Sequence, residues 1–259
     1  MRLEINVLLD YEIPEPADML LAVEAAQLPD QLLVEDRLTI DGAGPLRPVD
    51  GEDGIGRRTW MQAQGPFRAI YRAVVDVVRE AAPIQAMPIL PRRELPAEVV
   101  PYLWPSRYCE ADRFEEFVGR EFGSLAGGAK IVAMADWIYN NLHYRPGSSD
   151  ATTTAADAFV GRAGVCRDFA HLMATFARAA GVPARLVAAY AWRLDPPDFH
   201  AIVEVWLDGG WRLVDATRLA PVEGLVRIGI GRDATDIAFM TVFGEAVMNE
   251  QRVEVRRLD

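Results

Sequence analysis

The sequence predicts an α+β protein in two parts: an N-terminal antiparallel β domain, then a helix-rich domain that closes in strands. Three observations carry that prediction. Residues 3 to 13 alternate between apolar and polar side chains. Six of the 17 prolines crowd between Pro83 and Pro105. Beyond them apolar residues recur at helical spacing, before strand-like stretches take over near residue 184.

The alternation sets Leu3, Ile5, Val7, Leu9, Tyr11 and Ile13 on one side of an extended chain, with Arg2, Glu4, Asn6, Asp10 and Glu12 opposite. A period of two is the signature of a half-buried strand. "QLLVEDRLTI" (31–40) and "FRAIYRAVVDVV" (67–78) carry the same rhythm, with "DGAGPLRP" and "DGEDGIG" as turn clusters between them. For 67–78 a helix is the alternative reading. Residues 1–82 are therefore expected to form the β domain. Residues 83–108, "PIQAMPILPRRELPAEVVPYLWPSRY", hold too much proline for a regular helix and read as an extended connector, packed down by Tyr102 and Trp104.

Residues 109–259 make the second domain. "ADRFEEFVGREFG" and "AKIVAMADWIYNNLHY" read as helices, the latter with Ile131, Met134, Ala135, Ile138 and Leu142 on one stripe. In "TTTAADAFVGR", Thr154 three residues before Asp157 is a capping-box variant. The next helix carries Phe169, Leu172, Met173, Phe176 and Ala180 on a single face, with Gly181 and Pro183 to stop it. Three strand-like stretches follow: "ARLVAAYAW", "FHAIVEVWL" and "WRLVDAT".

The balance of 27 Lys+Arg against 38 Asp+Glu, net −11, argues against a basic nucleic-acid face and against an anionic membrane surface. The N-terminal residues contain no apolar signal-peptide core, and no apolar run reaches membrane-spanning length. Two cysteines make no disulfide framework, so a reducing, cytoplasmic setting is expected. His and Cys never occur at metal-ligand spacing, and no cofactor or metal is expected. Nothing in the sequence fixes the oligomeric state.

Chemistry concentrates at Cys166. Gly164 loosens the backbone just ahead of the helix, so the thiol falls in or beside its first turn. There free backbone N–H groups and the positive end of the helix dipole favour an anion such as a thiolate. A cysteine nucleophile also needs a base, and that base an orienting acceptor. Of three histidines, His143 ends a helix, and His171 lies too far along the helix of Cys166 to face it. His200 opens a strand, and Asp215 sits between Val214 and Ala216, where a buried carboxylate is costly without a partner. Register complicates the pairing. A two-residue turn at Gly209-Gly210 sets Asp215 opposite Glu204, leaving His200 and Asp215 on one face but about 13 Å apart at the usual strand rise. Their contact then requires a bulge or an irregular turn.

Taken together, "GVCRDFAHLMATFARAAGVPARLVAAY", "HAIVEVWL" and "GWRLVDAT" resemble the core signature of the bacterial transglutaminase-like superfamily, over residues 103–239. That resemblance implies a papain-like catalytic domain, commonly preceded by a β domain. It implies Cys166 as nucleophile, His200 as base and later acid, and Asp215 as orienter. It further implies acyl transfer at an amide of a peptide or protein through a thioester. Hydrolysis by a cysteine protease or amidase is the favoured outcome. The alternatives are protein-glutamine cross-linking, an acetyltransferase of the arylamine type, and a binding module that keeps the fold without turnover. Many members carry tryptophan two residues after the histidine, where this chain has Ile202.

Smaller features have two readings each. Asp168 could cap the helix or touch substrate, and Arg167 could support a thiolate or lie in solvent. Arg232 and Asp233 in "GRDATD" could reach the cleft or form an internal ion pair. Trp192, Trp206 and Trp211 could wall an acceptor channel or fill the core. Cys109 reads as buried and inert.

Overall fold

The computed structural model describes residues 1–79 and 83–259, so the expected domain boundary at residue 82 lies outside the described residues. The first part is a long-stranded sheet. β1 (Arg2–Leu21), β2 (Gln31–Ala43), β3 (Arg47–Asp50) and β4 (Arg57–Val77) are all antiparallel to their neighbours. Residues 67–78 thus fall mostly in β4, and the strand reading holds over the helical one. Leu3, Ile5, Leu9 and Ile13 are fully buried beside Phe67, Tyr71 and Val75, as the two-residue period demands.

The connector is less extended than expected. Three short 3-10 turns, Ile84–Ala86, Arg92–Glu94 and Ala97–Leu103, punctuate it. Proline fixes φ at a value such turns tolerate, and each turn begins just after a proline. Tyr102 is buried while Trp104 is 60% exposed, so only the tyrosine packs the connector down.

The second part follows as α1 (Glu115–Phe122), α2 (Gly127–Asn141), β5 (His143–Tyr144), α3 (Ala155–Gly161), β6 (Ala163–Gly164) and α4 (Cys166–Ala179). Then come β7 (Ala184–Ala191), β8 (His200–Leu207), β9 (Gly210–Val214), β10 (Leu225–Gly231) and the short α5 (Ala234–Ile237). Thr154 caps α3 with the full box: its hydroxyl accepts from Asp157 N–H, and the Asp157 carboxylate accepts from Thr154 N–H. The four strands form an antiparallel sheet in the order β10-β7-β8-β9, with α4 packed against β7 and β8. Phe176 of α4 meets Phe114, Phe117, Phe122, Trp137 and Phe159 at ring separations of 5.3 to 6.3 Å, tying α1, α2 and α3 to one buried helix.

The chain then returns to its beginning. β11 (Met240–Phe243) and β12 (Val247–Arg257) pair antiparallel with the two halves of β1. Assigning 109–259 wholly to the second domain therefore needs correction, because residues 240–257 complete the first sheet. The physical reason is that β1, at 20 residues, offers an open edge that β4 cannot cover alone. One apolar core runs through both parts. Tyr71 of β4 stacks on Tyr190 of β7, Tyr190 meets Phe199 at a tilt, and Phe199 stacks on Phe239, the last at 4.3 Å. Among the described residues, no helix is long and apolar enough to cross a membrane.

Candidate active site

The site forms where α4 begins. Val165 is extended and Cys166 is the first helical residue, so the thiol stands on the first turn, partly exposed. Asp168 reaches back from that turn: its Oδ2 accepts from Val165 N–H at 2.8 Å, which satisfies one of the free donors of the helix start. The capping reading of Asp168 is the one the geometry shows. Gly164 is required here because a Cβ on it would lie 2.6 Å from the Asp168 Cβ. Arg167 donates to Asp150 O at 2.5 Å and to Asp168 at 3.4 Å, so its guanidinium fastens the 145–153 loop rather than standing free in solvent.

His200 is the first residue of β8, and Asp215 follows the last residue of β9. The hairpin between them turns at Asp208 and Gly209, both at positive φ (49° and 70°), and pairs Leu207 with Gly210 and Val203 with Val214. This register puts His200 and Asp215 two residues out of step instead of four, on the same face. No bulge is needed. His200 Nε2 lies 2.9 Å from Asp215 Oδ2, and both side chains are all but fully buried. Asp215 Oδ1 accepts from the N–H and hydroxyl of Thr217, at 2.9 and 2.6 Å, which fixes the carboxylate.

Electrostatics follow from that geometry. Burial opposes a charge on His200, but the hydrogen bond to Asp215, the neighbouring Cys166 thiol and the negative charge of both groups push its pKa up to about 9. Burial likewise opposes a charge on Asp215, and here the His200 hydrogen bond and charge win, holding the carboxyl below its ordinary range. The imidazole Nδ1 is buried and bonded to no other described group. It is the ring nitrogen left for the neighbouring thiol. The structure thus brings Cys166, His200 and Asp215 together.

A scan of family models matches residues 117–216 to the transglutaminase-like superfamily. Across its whole length the chain is 36% identical to a candidate cysteine protease from Cytophaga hutchinsonii of known structure, covering 91% of that chain with a TM-score of 0.93. This chain belongs to the transglutaminase-like superfamily. It is also 29% identical over 210 residues to an uncharacterized protein of Mycobacterium leprae, and 31% identical over 119 residues to one of Mycobacterium tuberculosis. These alignments span 66% and 38% of the relatives' own lengths, and 78% and 40% of this chain.

The remaining candidates of this superfamily member divide clearly. His143 is exposed in β5. His171 is buried behind the site, stacked on Tyr108 at 5.1 Å, and its Nε2 accepts from Ala234 N–H at 3.1 Å. Burial pushes its pKa down to about 3 and pushes the Cys109 thiol up to about 11. Arg232 pairs with Asp236 at 3.1 Å, while Asp233 caps α5 by accepting from Thr235 N–H at 3.0 Å. Trp206 and Trp211 pack edge to face at 5.2 Å near the turn end of the β8–β9 hairpin, remote from His200. Trp192 is half-buried after β7, with the Arg193 guanidinium 4.1 Å over its ring. Among the described residues, no cluster of His, Cys, Asp or Glu could hold a metal ion.

One residue escaped the sequence reading. β5 and β6 pair in parallel, with Tyr144 opposite Gly164 and Arg145 N–H donating to Gly164 O at 2.9 Å. That pairing carries the Tyr144 hydroxyl to the first turn of α4, its ring 5.9 Å from that of Phe169. Burial raises the Tyr144 pKa, and the charge of Cys166 raises it further, to about 12. A two-residue parallel bridge leaves no periodic trace in sequence.

Proposed function

We propose that this protein is a cysteine-dependent acyl transferase acting on amides of peptides or proteins, with water as the main acceptor. The observation that carries the reading is His200, held by Asp215 on one ring nitrogen and set beside a thiol at a helix start. At neutral pH the raised pKa keeps the ring protonated, so the charge it bears favours a thiolate at Cys166.

The steps follow from these positions. The Cys166 sulfur attacks the amide carbon, forming the C–S bond and moving the carbonyl electron pair onto oxygen. The Cys166 N–H, at the helix start, donates to that oxyanion. The Tyr144 hydroxyl, beside the same residue, supplies a second hydrogen bond. Collapse breaks the C–N bond as His200 delivers its proton to the leaving nitrogen, giving a thioester. His200, now neutral, takes a proton from water as that water attacks the thioester, and the acid leaves with regeneration of the thiolate–imidazolium pair. Asp215 holds the ring in the tautomer that both steps need.

The test is a survey of glutamine-containing peptides and unfolded proteins, scored for deamidated or cleaved product, with mass spectrometry of acid-quenched enzyme. Product formation lost in Cys166→Ala, together with an acyl adduct on Cys166, supports the reading. Turnover that survives Cys166→Ala, or none on any amide, overturns it.

A further inference from the structure

The loop that leads into His200 carries an acid that no cation pairs with among the described residues. Asp198 is exposed, two residues before His200. Its Oδ1 accepts from Phe199 N–H at 2.7 Å and from Gln251 Nε2 at 2.8 Å. Both donors are neutral, and Oδ2 keeps no partner among the described residues. Gln251 belongs to β12, and its Oε1 accepts from the Tyr11 hydroxyl of β1 at 3.5 Å. The first sheet therefore anchors this carboxylate two residues ahead of His200. Among the described residues, no arginine or lysine forms an ion pair with Asp198, whose hydrogen bonds come from Phe199 N–H and Gln251 alone. Asp198 stands two residues ahead of His200, and its charge acts on Tyr144. Behind burial and Cys166 itself, Asp198 is a further cause of the raised pKa of Tyr144, whose hydroxyl lies at Cys166.

We propose that Asp198, clamped by Gln251 of the first sheet, is a specificity-determining residue that selects substrates with a lysine or arginine side chain beside the reacting amide. The inference rests on the acyl-transfer reading of the Cys166 site. A fixed acid suits this role better than a mobile one, because its position costs no ordering when the cation arrives. A rigid carboxylate with a free oxygen and a neutral anchor can accept an ammonium or guanidinium directly. The completion of the first sheet by residues 240–257 then has a chemical consequence, since it brings Gln251 to the loop that precedes the base.

The experiment has two arms. The first needs no turnover: Cys166 is modified with a trimethylammonium-bearing and a sulfonate-bearing methanethiosulfonate of equal length, and the rate ratio is read by mass spectrometry. Asp198→Asn keeps the Oδ1 hydrogen bonds and is expected to lower the cation-to-anion ratio about threefold or more, as removal of one charge in partly screened surroundings implies. Asp198→Lys is expected to lower it further, and Asp195→Asn, in the same loop, to leave it unchanged. In the second arm, matched glutamine peptides with Lys or Glu next to the reacting residue are compared. Wild type is expected to favour the Lys peptide, and Asp198→Asn to erase that preference. An unmoved labelling ratio in Asp198→Asn overturns the proposal, and so does equal wild-type turnover of the two peptides. A protein that shows the ratio change but turns over no amide loses the acyl-transfer reading instead, with Asp198 kept as selector of what reaches Cys166.

Discussion

His200 and Asp215 meet as diagonal neighbours, Nε2 to Oδ2 at 2.9 Å, because the hairpin between them turns at Asp208 and Gly209 and not one residue later. Both turn residues sit at positive φ, the primed geometry whose twist matches that of the flanking strands. A turn at Gly209-Gly210 would carry Asp215 two residues further from His200 along the strands. The His200–Asp215 pairing depends on the choice of turn.

That pairing has a pH signature. A base whose pKa is raised keeps its proton until pH passes the raised value, so acylation is expected to hold through neutral pH and to fall above about 9. Asp215→Asn removes an acceptor and a negative charge from the ring, which moves the alkaline limb of kcat/KM to lower pH and lowers turnover by about 10²–10⁴-fold. His200→Ala is expected to abolish nearly all turnover. A fully active His200→Ala enzyme assigns the base elsewhere.

Much of this was legible before the fold was known, and the misses have physical causes. Residues 3–13 showed their buried face because a half-buried strand must alternate. Cys166 could be placed because glycine and a helical stripe mark a helix start. His200 and Asp215 could be named, but their contact could not be derived. "LDGGW" offers two glycine-containing turns, and the Asp-Gly option, the stronger hairpin signal, is the one the chain uses. The return of β11 and β12 to β1 is a pairing between opposite ends of the chain, and no local pattern encodes a partner. Tyr144 was hidden for the same reason: its role comes from a bridge to Gly164, not from its neighbours.

Thiol labelling separates the two cysteines. Cys109 is fully buried, and burial pushes its pKa up to about 11, whereas Cys166 is partly exposed. Iodoacetamide at pH 7.5 is expected to alkylate Cys166 at least about tenfold faster than Cys109, since the thiolate is the reacting form. Equal rates in the folded protein would sink the idea of an activated thiol.

For Tyr144 the informative change is loss of the hydroxyl alone. Tyr144→Phe keeps the ring against Phe169 and is expected to lower kcat about tenfold or more with little change in KM, because an oxyanion donor acts chiefly in the transition state. The iodoacetamide rate at Cys166 is expected to stay near wild type, as that reaction builds no oxyanion. A parallel loss in both rates points to damaged packing instead.

His171 is expected to contribute to the acid limb of stability. Buried and neutral, it has a folded pKa near 3, while the unfolded chain takes up the proton near the ordinary value of about 6.5. Between those values the unfolded state binds more protons, so the His171 contribution to stability is intact above pH 6.5 and is lost as pH falls below it. The expected slope is about 1.4 kcal/mol per pH unit. His171→Gln cannot titrate, and its urea-derived stability is expected to fall less steeply between pH 6.5 and 4.5. Identical slopes for the two proteins would place the acid limb in other groups.

The fate of the thioester is the remaining question, and the geometry argues for water. A transamidase must hold an uncharged amine near the thioester in an apolar channel that excludes solvent. Trp206 and Trp211 pack against each other at the far end of the β8–β9 hairpin, six residues along β8 from His200, about 20 Å away at the usual rise. Ile202 is buried in a second apolar cluster with Tyr102 and Leu213, so the position that often carries tryptophan faces away from solvent. Asp198 adds an electrostatic reason. A carboxylate placed as proposed for Asp198 stabilises the ammonium form of an incoming lysine, which has no lone pair with which to attack. Supplied with a glutamine peptide and millimolar cadaverine at pH 7.5, the protein is expected to release more deamidated or cleaved product than amine conjugate. Asp198→Asn is expected to raise the conjugate fraction. Conjugate as the dominant wild-type product would make the protein a working transglutaminase and would retire the hydrolytic preference.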